Sequence, residues 1–369
     1  MGGPLKQTSL LATHRALGAK LVDFAGWSMP VQYGPILDEV RCVRERVGLF
    51  DLGHMGRIFV GGPAAVPFLD RVATNFVARI PQGAIRYSVL CLEDGGAIDD
   101  LLLYREQDGV YAVINASNTD EDLAWLRAHA RGFDASIEDR TAPTAMLALQ
   151  GPRSEAVLAK LFEGGDLAAL GYYKFTRGTV CGLADVHVSR TGYTGEDGFE
   201  LTFPTAEAPR IWAALLEAGR GEGIAPIGLG ARDVLRLEAG MALYGHELDR
   251  EHNPIEAGLG FAVSFKEEKG DWIGRTALAA VKAAPRRRLV GITTPGPRIP
   301  RQGAALFFGD DQVGAVCSGA PSPTLGTNVA TAYVALGQDT AGTRLELDFR
   351  GRRQACSVQE LPFFSRTRK

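Results

Sequence analysis

The chain opens with apolar residues at three- and four-residue spacing. "TSLLATHRALGA" and "PILDEVRCVRERVG" carry that rhythm, which predicts helices in the first 45 residues, with Gly48 capping the second. The texture then shortens. "GRIFVGG" reads as a strand and "AAVPFLDRVAT" as a helix. Residues 85–115 read as a meander of three strands, "IRYSVLCLE", "AIDDLLLY" and "VYAVINA", separated by "DGG" and "REQDG". A helix follows, capped by Thr119, with Asp120, Glu121 and Asp122 in its first turn and "LAWLRAHA" as its face. Residues 145–270 mix strands ("AMLALQG", "VHVSRTGYTG", "GFELTF") with helices ("APRIWAALLEAG", "GARDVLRLEAGMAL"). From about residue 285 the pattern is short strands alone, which predicts a barrel or sandwich. The chain is therefore read as an α+β body and a β-rich C-terminal domain, with a boundary near "KAAPRRR".

One strand breaks its own pattern. Aspartate is depleted in strands, yet "GGAIDDLLLY" (95–104) carries two at its start. Side chains alternate along a strand. Asp100, Leu102 and Tyr104 share one face, and Asp99, Leu101 and Leu103 the other. Asp99 is read as a turn or strand-end acid. A local conflict of this kind is what a functional site produces.

Composition narrows the class. The 369 residues are 46% apolar and carry a formal charge of −3, an ordinary globular balance without the basic excess of a nucleic-acid binder. No stretch approaches the ~20 apolar residues of a membrane span. The first twenty residues hold no apolar run longer than "SLLA", so no secretory leader is expected. Five scattered cysteines without a C-x-x-C point to buried thiols in a reducing, cytoplasmic setting rather than to disulfides or a zinc ribbon. His246 and His252 in "HELDREH" stand six apart, on different faces of a helix, so no metal site is expected there. "GLGARD" lacks the third glycine of a dinucleotide loop.

What remains is a set of segments dense in glycine and polar residues: "DFAGWSMP", "DLGHMG", "GGAIDDLLLY", "SRTGYTGEDGFE", "GLGARDVLRLEAG" and "SGAPSPTLG". Singly, each reads as a turn. Together, and most specifically through "SRTGYTGEDGFE" and "GLGARDVLRLEAGMALYGHELD", the chain resembles the glycine-cleavage T-protein family nearly end to end.

That resemblance implies a three-domain cloverleaf around a central folate pocket. Two mixed α/β-sheet domains (1–50 with 140–270, and 51–139 with the "GGAIDD" strand) would join a C-terminal β-barrel-like domain at 285–369. It implies an aminomethyltransferase that uses tetrahydrofolate as co-substrate and a lipoylated H-protein as transient partner, with no metal, nucleic acid or membrane. The methylene of the aminomethyl group passes to tetrahydrofolate, giving 5,10-methylenetetrahydrofolate, ammonia and dihydrolipoyl-H-protein. By the same resemblance Asp100 is the catalytic residue, whether as acid, base or electrostatic anchor, and Glu200 binds the pterin. Arg232, Tyr193, Tyr87, Tyr104, Asn115 and Met55 match further folate-binding positions.

Two positions depart from the family pattern: Met241 where some relatives carry an aromatic, and Phe364 where tyrosine is frequent. Two relatives offer alternative functions. A non-enzymatic folate binder in iron–sulfur maturation carries a cysteine signature, for which this chain has "NPIEAGLGFAV". The folate module of a sarcosine or dimethylglycine demethylase is normally fused to a flavin domain, whose fingerprint is missing here.

Overall fold

A computed structural model describes residues 3–366, and the chain divides into two compact units. The first comprises the chain up to Val66, Ile80–Arg86 and Leu102–Asp233; the second comprises Pro67–Arg79, Tyr87–Leu101 and the chain from Val234 onward.

The first unit is built on a seven-stranded sheet. In spatial order its strands are Phe162–Glu163, Phe175–Val180, Leu183–Ser189, Gly198–Pro204, Thr144–Gln150, Val47–Asp51 and Ile224–Pro226, antiparallel except for the last. Its apolar face packs on the Ala208–Ala218 helix, whose Ile211, Trp212 and Leu215 point into the core at the spacing the sequence displayed. The meander also forms. Ile85–Cys91, Ala97–Arg105 and Gly109–Ile114 continue through Gly56–Gly61 to Ser136–Asp139 in one five-stranded sheet.

Buried polar groups fix the first unit's loops. Asp51 is 4% exposed and accepts from Thr8 Oγ1 at 2.6 Å and Gly53 N at 2.8 Å, with His14 Nε2 at 2.9 Å. A carboxylate oxygen only accepts, so His14 Nε2 carries the proton. Tyr33 OH meets the other ring nitrogen at 2.7 Å. Arg57 is wholly buried and donates to four backbone carbonyls within 3.2 Å, those of Met55, Gly53, Thr141 and Thr144. Between them, Asp51 and Arg57 hold both ends of "DLGHMG".

In the second unit, six strands close the expected barrel: Arg287–Thr294, Thr327–Ala335, Asp311–Ser322, Ala305–Phe308, Arg344–Asp348 and Arg353–Gln359. Its interior is apolar, with Ile292, Leu306, Val334, Leu347 and Val358 unexposed. Beside the barrel lies a buried ion pair. Arg236 donates to Glu247 Oε2 at 2.8 Å and to Ser318 Oγ at 2.6 Å, and Thr331 and Leu243 N also donate to Glu247. Glu238, on the same helix as Arg236, accepts from Ser322 Oγ at 2.5 Å and Thr324 Oγ1 at 2.8 Å. This explains why "RLEAG" and "SPTLG" stand out together in the sequence. No helix among the described residues is long and apolar enough to cross a membrane.

Three local readings are corrected. Gly48 lies inside the Val47–Asp51 strand rather than capping a helix. A Cβ there would come within 2.5 Å of Ile227 and 2.6 Å of Val43, so glycine is required by close packing. The Thr119–His129 helix has Asn118 as its cap, and Thr119 bonds back to the Asn115 carbonyl at 3.0 Å. Asp99 is not a turn acid. It lies within the strand, wholly buried, on the face that carries Leu101 and Leu103.

Two stability predictions follow from the buried charges. Glu247→Ala removes the ion-pair partner of buried Arg236 and is expected to cost about 3–5 kcal/mol by urea unfolding. Glu247→Gln, which keeps acceptors in place, is expected to cost less. Burial alone would raise the Asp51 pKa, but His14, Thr8 and Gly53 more than offset it and hold the carboxyl below its ordinary range. Its contribution to stability is therefore complete above the unfolded value of about 3.9 and lost as pH falls through the lower folded value. Unfolding midpoints measured from pH 5 down to 2 are expected to fall less steeply in Asp51→Asn than in the wild type.

Candidate functional site

In the first unit, the segment "SRTGYTGEDGFE" leaves the Leu183–Ser189 strand, loops, and re-enters as Gly198–Pro204. Its glycines make room for one side chain. A Cβ at Gly192 would fall 1.9 Å from Gln150, and one at Gly198 would fall 2.4 Å from it. Gln150 fills that space, donating to the Thr191 carbonyl at 3.0 Å and accepting from Thr194 Oγ1 at 2.9 Å. Arg190 closes the loop through two bonds to Asp197, at 3.0 and 2.5 Å, and one to Glu155 at 2.8 Å. Arg44 adds a bond to the Thr194 carbonyl at 2.7 Å.

This frame holds Glu200, which is 5% exposed. Burial pushes its carboxyl above the ordinary value, while the Thr191 hydroxyl at 2.5 Å and the Arg232 charge pull part of the way back. Arg232 lies over the Tyr193 ring, 4.6 Å from its centre, in a cation–π contact. The start of its helix, Leu229–Glu238, is set by Glu39, whose two oxygens accept from Gly34 N at 2.9 Å and Gly228 N at 2.8 Å. Gly228 must be glycine, because a Cβ would sit 2.4 Å from the Val31 backbone.

His54 is buried in the same unit and has no hydrogen-bond partner for Nδ1 among the described residues. Burial first, then the Arg232 and Arg57 charges, lower its pKa to about 3, so the ring is neutral at pH 7. Glu200, Arg232, Tyr193 and His54 thus place a carboxyl acceptor, a cation, a phenol and a neutral imidazole under one set of electrostatic constraints. A carboxylate so held can accept two parallel hydrogen bonds from an amidine-like edge.

Tyr104 is set deeper. It is 1% exposed, and its ring packs among Tyr111, Phe175 and His187 with centroids 5.3–5.8 Å apart. Asn115 follows the Gly109–Ile114 strand and accepts, through its carbonyl, from Asn118 N. Met55 is half-buried in the "DLGHMG" turn, its carbonyl held by Arg57 at 2.6 Å.

In the second unit, the alternation at "AIDD" gives the predicted separation. Asp99 is buried, while Asp100 is half-exposed on the other face. Tyr87 OH donates to Asp100 Oδ2 at 2.8 Å. Phe261, 72% exposed, stands 5.9 Å from the Tyr87 ring at a 33° tilt. No periodicity marks it in the sequence. Its signal was a bulky aromatic after "GLG" in a segment with no apolar periodicity. Thr191, Gln150 and His54 likewise carry no sequence signal, because the partners that give them their places are not set by local periodicity. Among the described residues, no group of three or more His, Cys, Asp or Glu side chains is placed to hold a metal ion.

Residues 10–267 match the family described as the GCVT N-terminal domain, and residues 287–365 the glycine cleavage T-protein C-terminal barrel domain. The chain is 47% identical over 367 residues to the aminomethyltransferase of Moorella thermoacetica, covering 99% of each chain. It is 47% identical over 368 residues to that of Streptomyces coelicolor, covering 98% of each. The crystal structure of glycine cleavage system aminomethyltransferase T from Bartonella henselae superposes with a TM-score of 0.90 at 37% identity, over 98% of both chains. With both halves matched and relatives this similar from end to end, the chain belongs to the glycine cleavage T-protein family.

Proposed function

We propose that Asp100 is the residue on which aminomethyl transfer turns in this chain, and that Glu200 and Arg232 hold the folate. The chain is a tetrahydrofolate-dependent aminomethyltransferase of the glycine cleavage system. The aminomethyl group arrives on the lipoyl arm of an H-protein, and the products are 5,10-methylenetetrahydrofolate, ammonia and dihydrolipoyl-H-protein. Tetrahydrofolate supplies two weakly basic nitrogens that end up bridged by the methylene.

The observation that carries this reading is the state of Asp100. It is a half-exposed carboxylate on a strand with a buried opposite face, and the Tyr87 hydroxyl fixes one of its oxygens. The transferred group becomes iminium-like as it leaves sulfur, and a carboxylate already oriented stabilises that charge without reorganising. The same oxygen pair can hold the proton that the departing amine needs. Glu200 and Arg232 support the binding role differently. Glu200 is buried and Arg232 half-buried, settings in which leaving a charge without a partner is costly. Tyr193 offers Arg232 its ring face, which leaves the guanidinium edge for a ligand oxygen.

Asp100→Asn keeps the size and the acceptor for Tyr87 but removes the charge. It is expected to lower turnover about 10²–10⁴-fold while changing tetrahydrofolate affinity little, as measured by ammonia release from aminomethylated H-protein. Turnover near the wild-type value would refute the assignment. Glu200→Ala is expected to weaken tetrahydrofolate binding roughly tenfold to a hundredfold by calorimetry. Unchanged affinity would remove Glu200 from the binding role.

A further inference from the structure

Behind Glu200 lies a chain of two hydroxyls. Ser189 is the register partner of Glu200 across the antiparallel pair of strands, so their side chains share a face. Thr191 follows two residues later, and its backbone is fixed by Gln150. Thr191 Oγ1 lies 2.5 Å from Glu200 Oε2, and Ser189 Oγ lies 2.8 Å from Thr191 Oγ1. Both hydroxyl residues are 1% exposed.

Counting protons gives the chain a direction. A hydroxyl has one hydrogen, and a carboxylate oxygen only accepts. Thr191 therefore spends its hydrogen on Glu200, and its oxygen can only accept from Ser189. The longer contact from Ser189 to the Glu200 carbonyl, 3.3 Å, is secondary. Of about four acceptor positions on a carboxylate, Thr191 takes one, on Oε2. That bond fixes the carboxyl plane and leaves Oε1 and the second acceptor position of Oε2 for a ligand's donor edge. A proton taken up by Glu200 would have to sit at one of these positions, where it would compete with that edge.

We propose that Thr191, supported by Ser189, is a positioning residue for the folate: it locks the Glu200 carboxyl in the one orientation that accepts the pterin's donor edge. This rests on the folate-binding role of Glu200 given above. The apolar surroundings contribute too. The Tyr104 hydroxyl is buried beside Ser189 and Thr191, whose hydroxyls favour its ionised form, but burial and the Glu200 charge outweigh them and keep it protonated. With burial also raising the Glu200 pKa, loss of the Thr191 hydrogen bond would leave the carboxyl both free to rotate and easier to protonate.

The test uses the full chain with Thr191→Val, Thr191→Ser, Ser189→Ala and Glu200→Gln. Tetrahydrofolate affinity is read by calorimetry, and kcat and KM by ammonia release from aminomethylated H-protein. Thr191→Val, nearly isosteric, is expected to raise Kd and KM for tetrahydrofolate about tenfold, with kcat at saturation within roughly threefold of wild type. Thr191→Ser is expected to restore affinity to within about threefold, because it returns the hydroxyl. Ser189→Ala, acting through Thr191, is expected to produce a smaller loss than Thr191→Val. Wild-type affinity in Thr191→Val, together with weakened binding in Glu200→Gln, would overturn the positioning role and leave the folate reading standing. Wild-type affinity in both would overturn the folate reading itself. Equal losses in Thr191→Val and Thr191→Ser would also overturn the proposal, since packing rather than the hydroxyl would then be at work.

Discussion

A charge taken out of water must meet donors or an opposite charge, and in a low-dielectric interior the cost of failing to do so runs to several kcal/mol. Several loops in this protein answer that constraint. Asp51 draws Thr8, His14 and the Gly53 amide to one point, and Arg57 collects carbonyls from two separate turns. Glu39 spans from Gly34 to Gly228. In the second unit Glu247 and Arg236 do the same for the segments that meet at Ser318 and Thr331. Each buried charge converts a glycine-rich loop, which would otherwise pay a large entropy cost to be ordered, into a fixed platform.

The functional groups are placed by the same means. Glu200 is oriented by Thr191, which is itself held by Gln150. Gln150 has space because Gly192 and Gly198 lack side chains. Glycines at these two positions therefore serve the carboxylate at one remove. Asp100 accepts from the Tyr87 phenol, beside an exposed aromatic ring. The two carboxylates differ accordingly. Glu200 is enclosed and raised in pKa, which suits recognition of a fixed hydrogen-bonding edge. Asp100 is half-exposed, which suits contact with a group that arrives and departs.

Much of this was legible in the chain because its elements obey local periodicity. The Ala208–Ala218 helix, the meander strands and the barrel strands all appear where the apolar spacing put them. Local pattern failed where a distant partner decided the outcome. Gly48 resembled a helix cap, but Ile227 and Val43 press against it within a strand. Asp99 reads as a turn or strand-end acid because charge is rarely placed on the inner face of a strand, yet it lies near the strand's start, wholly buried on that face. Of the site, the residue types and the Asp99–Asp100 division could be read from alternation and family resemblance. The hydroxyl chain behind Glu200 could not, because serine and threonine near a glycine-rich turn carry no sign of whether they face solvent or a carboxylate. Phe261 was missed for a related reason: an isolated aromatic in a loop has no period to reveal it.

The two departures from the family pattern can be judged by the backbone at each place. Met241 exchanges backbone contacts with Arg236, donating its amide at 2.9 Å and offering its carbonyl at 3.3 Å. Phe364 donates its amide to the Glu238 carbonyl at 2.7 Å. Neither contact uses a side-chain atom of the departing residue, so substitution leaves the path of the chain intact. What changes is surface chemistry. At Met241 a flexible thioether stands in for a flat ring, which fills irregular space and defines an orientation less sharply. At Phe364 the ring stands without the hydroxyl a tyrosine would add.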